Sequence, residues 1–273
     1  MLERSIAAPD VTLAACEDSD GIPVVLLHGL SATRRYVVMG SKGLQRGGHR
    51  VIAYDARGHG ASTPAPTPSA YGYDELSADL VAVLDAYELP RAVLAGASMG
   101  AHTILRAALD VPERVAGVVV ITPAYDPVGN DRDSRLRRYD ALAEGLRTGG
   151  VEGYLDVFDA GRLPAGMRRG VETFIRQSMS RHEHLDAVAD ALQAASRSRP
   201  FEDLHALERI ECPAVVVASR DEADPSHPLA LGEAYAELLP NGRLEVEDEG
   251  SSPLAWQGGR LSKVIAELAR EAW

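Results

Sequence analysis

The sequence predicts an α/β protein, with a mostly parallel central sheet covered by helices on both faces and a helical cap inserted between two strands. Three observations predict it. Short β-like runs alternate with amphipathic helical stretches through the first half of the chain. From about Thr122 to Pro200 the strand signal disappears and successive helical patterns replace it. Apolar β-like runs then resume at Pro213 and Arg243, so the helical block interrupts a sheet rather than ending it.

Ile22–Leu27 is a continuous apolar run of strand length, and Arg50–Tyr54 is the next. Asp74 opens a helix through about Ala86, because Leu76, Leu80, Val83 and Leu84 fall on one helical face. Arg91–Ala95 and Val115–Ile121 read as buried strands, and the proline-rich Thr63–Pro68 as a surface loop. Inside the inserted block, Leu185, Val188, Leu192 and Ala195 recur at helical spacing. Strands return at Pro213–Ala218 and Arg243–Glu247. Leu261, Val264, Ile265 and Leu268 mark a closing helix from Gly259. This order divides the chain into a core of residues 1–122 and 201–273 and a helical lid of residues 123–200. A lid there covers the C-terminal edge of the strands, where open α/β sheets bind their ligands.

The chain has 273 residues, 45% of them apolar, and a formal charge of −12. That balance argues against nucleic acid and anionic membranes as partners, since phosphate binding needs a concentrated positive field. A small-molecule substrate or ligand fits better. Cys16 and Cys212 are too few for a disulfide framework and read as inert thiols in a reducing compartment. Met1–Asp10 carries Glu3, Arg4 and Asp10 and lacks a signal-length apolar core, and no run approaches the ~20 residues of a membrane span. The expectation is a soluble cytoplasmic protein. The eight histidines lack zinc spacing, so neither a metal nor a cofactor is expected.

Gly96-Ala97-Ser98-Met99-Gly100 is a G-x-S-x-G pentapeptide between a predicted strand and a helical pattern. A serine on so tight a turn has its hydroxyl pushed out of the sheet, as a nucleophile needs. Three further segments lie at C-terminal strand ends: His28-Gly29-Leu30, the Asp55–Gly60 turn with His59, and Ser219–Pro225. In order and spacing the four segments resemble the α/β-hydrolase superfamily over roughly residues 20 to 270. The resemblance implies Ser98 as the nucleophile, the backbone N–H groups of Leu30 and Met99 as an oxyanion hole, and His28 as a shaper of that turn. It places the triad acid at Asp221, with Asp224 as the alternative carboxylate in the same loop.

The departure lies beyond the last strand, where the family expects a Gly-His pair. Here Gly250 is kept and Ser251 stands in the histidine's place, and no histidine follows His227. A serine hydroxyl cannot serve as the base. Among the remaining histidines, His102 is expected to pack beneath the elbow, and His182 and His184 to be solvated at the start of a lid helix. His227, in a Ser-His-Pro turn, reads as a loop residue at the rim of the site; each of these is also a candidate replacement base. Trp256 either lines the pocket or anchors the final helix. Arg132, Arg135, Arg137 and Arg138 either grip a substrate carboxylate or form a solvated, salt-bridged face with Asp131, Asp133 and Asp140.

Two functions follow. One is a serine hydrolase with an atypical triad, acting on a small ester, thioester, lactone or activated C–C bond. The other is a ligand-binding protein on a disarmed hydrolase scaffold, a case the gibberellin receptors resemble.

Overall fold

A computed structural model describes residues 2–129, 132–163, 165–220, 227–249, 256 and 258–273. Among them the sheet has eight strands: β1 (Leu2–Ala8), β2 (Val11–Asp18), β3 (Ile22–Leu27), β4 (His49–Tyr54), β5 (Ala92–Ala97), β6 (Val115–Ile121), β7 (Ala214–Ala218) and β8 (Gly242–Val246). Their spatial order is β1-β2-β4-β3-β5-β6-β7-β8, parallel from β4 to β8, with β1 and β2 added antiparallel at one edge. The sequence reading misses that edge hairpin. Its β2 alternates buried Val11, Leu13 and Ala15 with outward residues, the period of a half-covered strand, and Pro9 and Asp10 close the turn with Asp10 at φ 61°.

The central strands are apolar on both faces because both faces are covered. Val25, Leu27, Leu94, Val118 and Val216 point into one core with α2 (Tyr73–Ala86), α3 (Met99–Asp110) and α7 (Leu229–Leu238). Their neighbours Val24, Leu26, Val93, Val119 and Val215 point the other way, onto α1 (Gly43–Arg46) and α8 (Gly259–Ala272). Between β6 and β7 the described chain is helical: α4 (Arg132–Phe158, with Gly150 at φ 59° inside it), α5 (Ala165–Met179) and α6 (Leu185–Arg197). These three share their own core of Leu142, Leu146, Ile175, Met179, Val188 and Leu192, against which Leu30 packs. No helix among the described residues is long and apolar enough to cross a membrane.

Arg57, in the turn after β4, is 2% exposed and grips Asp79 of α2 through Nε (2.7 Å) and Nη2 (2.8 Å). The same guanidinium donates to the Ala70 carbonyl at 2.8 Å. The pair therefore ties the middle of α2 to the turn after β4.

Candidate active site

Ser98 ends the β5 turn and precedes α3 with φ 50° and ψ −108°, a backbone state that ordinary residues avoid. Close packing leaves no alternative path. A Cβ on Gly96 would lie 2.2 Å from the Gly100 carbonyl oxygen, and one on Gly100 would lie 2.4 Å from that of Leu27. Ser98 is half-buried and lines a cleft of about 50 Å³ with Leu30, Tyr73, Met99, Tyr125 and Arg135. A larger cavity of about 480 Å³, bordered by Glu3, Arg34 and Lys42, contains none of these.

His227 reaches the serine. Its Nε2 stands 3.0 Å from Ser98 Oγ, across 129 residues of chain. It arrives from the segment between β7 and α7, held where Pro228 begins that helix. A neutral imidazole in this position accepts the serine proton at Nε2. The Leu30 and Met99 residues flank the same serine, and their N–H groups take part in no hydrogen bond among the described residues. Asp221, Asp224 and Ser251 lie outside the described residues.

The family model described as the alpha/beta hydrolase fold matches residues 22–254. The chain belongs to that family. Among curated relatives it is 29% identical over 197 residues to 3-oxoadipate enol-lactonase 2 of Acinetobacter baylyi, covering 72% of this chain and 69% of that protein. It is 27% identical over 233 residues to a 2-hydroxy-6-oxononadienedioate/2-hydroxy-6-oxononatrienedioate hydrolase of Burkholderia vietnamiensis, covering 82% and 77%. A thermophilic esterase from Thermogutta terrifontis superposes with a TM-score of 0.78 at 23% identity, over 100% of this chain and 99% of that one, a likeness of fold.

Within this hydrolase fold the buried histidines are committed elsewhere. His102 is buried, and its Nε2 accepts from the N–H groups of Ala124 and Tyr125 at 3.1 Å each. Its proton therefore sits on Nδ1 and is donated to Tyr73 Oη at 3.0 Å. Burial, with the Arg135 charge nearby, pushes His102 down to about 3, so it remains neutral. Burial likewise pushes the Tyr73 phenol up, keeping it protonated. His28 accepts from the Ala56 N–H at 2.9 Å and donates from Nδ1 to the Gly29 carbonyl at 2.8 Å, bracing the turn that carries Leu30. His59 bonds the Arg57 carbonyl through Nδ1 at 2.9 Å.

Two expectations are corrected. His182 is not solvated: it is buried, its Nδ1 accepts the Gly60 N–H at 2.9 Å, and it ties the helical block to the turn after β4. Of His182 and His184, His184 alone is exposed. Trp256 is an anchor rather than a cleft residue, because its indole N–H is spent on the Ala218 carbonyl and Glu247 Oε2, both at 3.1 Å, while its ring packs among core residues of α8.

Glu247 is a buried clamp beside the site that the sequence reading misses. Buried at the end of β8, its carboxylate accepts from Ser219 Oγ at 2.5 Å and from the Arg220 N–H at 2.6 Å. Burial alone would raise its pKa, but these donors and Trp256 together hold it below the ordinary value. It thereby clamps the end of β7, from which the segment bearing Asp221 and His227 departs. Its place directly after a strand is the signal that could have found it. For His227 the sequence holds no signal that sets it apart from His102, His182 and His184 as the base; the contact with Ser98 does.

Proposed function

We propose that this protein is a serine hydrolase acting on a small ester, thioester, lactone or activated C–C bond, with His227 in the role that the family gives to a histidine after β8. The 3.0 Å approach of His227 Nε2 to Ser98 Oγ carries the reading. As Ser98 Oγ bonds to the substrate carbonyl carbon, its proton passes to His227 Nε2, and the carbonyl oxygen becomes an oxyanion. The N–H groups of Leu30 and Met99 receive that charge. Collapse of the adduct breaks the bond to the leaving group, which takes the proton from His227. Water then releases the acyl group by the same steps, with His227 again as base. Asp221, by its place after β7, is the carboxylate that orients the imidazole, and residues 123–200 form the lid.

A serine already facing an imidazole favours catalysis over the disarmed-scaffold reading. Steady-state hydrolysis of 4-nitrophenyl acetate tests it. Ser98→Ala and His227→Ala are each expected to lose at least ~10³-fold in kcat, and the double variant no more than either alone, because the two groups act as a unit. Full activity in His227→Ala would overturn the assignment.

A further inference from the structure

The cleft beside Ser98 has an unusual electrostatic lining for so acidic a protein. Its described walls, among them Leu30, Tyr73, His102, Ala124, Tyr125 and Arg135, include no carboxylate. Arg135 is their single formal charge, in a chain of net charge −12. It is half-buried, and among the described residues its guanidinium makes one long hydrogen bond, 3.4 Å from Nη1 to the Ala124 carbonyl, and no ion pair. Other arginines of the helical block do pair: Arg147 with Asp190, Arg176 with Glu152 and Arg197 with Asp140.

A second donor faces the same space. Because His102 Nδ1 donates to Tyr73 Oη, the phenol oxygen is an acceptor in that bond and its own hydrogen must go elsewhere. No acceptor for it occurs among the described residues. The cleft thus presents unspent donors, one of them cationic, without an acceptor of matching charge, and a half-buried guanidinium is best satisfied by a planar anion that meets its fork.

We infer that the substrate carries a carboxylate, held by Arg135 with the Tyr73 hydroxyl as a second donor, while its scissile carbonyl lies at Ser98. This rests on the hydrolase reading for the reaction but not for the binding, so the two can fail separately.

The test is calorimetric titration of the wild-type protein and of Arg135→Gln and Arg135→Lys with succinate and benzoate, each against its neutral amide. A charge-assisted fork predicts that wild type binds at least one anion about tenfold or more tighter than its amide. Arg135→Gln loses that preference, and Arg135→Lys, which keeps the charge without the fork, retains part of it. Equal or weaker binding of both anions in wild type, no measurable binding of either, or a preference unchanged in Arg135→Gln would each overturn the inference. Turnover of 4-nitrophenyl acetate by wild type, run alongside, reports on the hydrolase reading alone: inactivity there with the anion preference intact would sink that reading and leave the anion site standing.

Discussion

Replacing Asp79 with alanine removes one partner of the buried Arg57–Asp79 pair. The guanidinium, 2% exposed, keeps only the carbonyls of Ala70 (2.8 Å) and Pro9 (3.2 Å) and loses its counter-charge. Leaving one member of a buried pair uncompensated costs about 3–5 kcal/mol. An unfolding entropy of about 2.1 cal/mol/K per residue gives roughly 0.57 kcal/mol/K for a chain of this length, so Tm should fall by about 5–9 °C. Differential scanning calorimetry measures it directly. The paired change Arg57→Met with Asp79→Leu should recover more than half of the loss, since it removes both charges together. A fall of less than about 2 °C in Asp79→Ala would refute the reasoning, because the ion pair would then contribute no more than an exposed one.

Stability should decline on mild acidification. Burial holds His28 down at about 4 and His102 at about 3, so below the unfolded value of about 6.5 the unfolded chain takes up protons that the folded chain refuses. Each contributes about 1.4 kcal/mol of loss between pH 7.5 and 5.5, read as a fall in the urea midpoint; a flat profile would contradict the neutral, buried assignment. Gly100→Ala should destabilise by about 1–3 kcal/mol, because its Cβ would sit 2.4 Å from the Leu27 carbonyl oxygen, and an unchanged urea midpoint would show that the elbow can relax. His182→Ala strands the Gly60 N–H and should cost about 1–3 kcal/mol while speeding hydrogen exchange at Gly60; unaltered protection would mean that the helical block is tied down elsewhere.

The central parallel strands were legible because they are buried on both faces. Ile22–Leu27 and Val115–Ile121 match the observed strands residue for residue, and Tyr73 precedes the expected helix start by one. The β1–β2 hairpin was not, since Glu3, Arg4 and Ser5 face solvent and dilute the apolar signal that its inner face carries. At the site, the elbow was readable from Ser98 and its two glycines, a local constraint. The His227 contact joins positions 129 residues apart on different strand ends, and no spacing rule encodes it. The same holds for Tyr73, whose place in the cleft depends on how His102 spends its two nitrogens. Trp256 was ambiguous because an aromatic residue near a strand end serves a pocket and a core equally well, and the bonds to Ala218 and Glu247 decide it.

The central claim is that Ser98 is an activated nucleophile and His227 activates it. Fluorophosphonate labelling, followed by intact mass and peptide mapping, should give one adduct on wild type, at Ser98. None should form in Ser98→Ala, and the labelling rate should drop about 10³-fold in His227→Ala. An unlabelled wild type, or a His227→Ala protein labelled as fast as wild type, would contradict it.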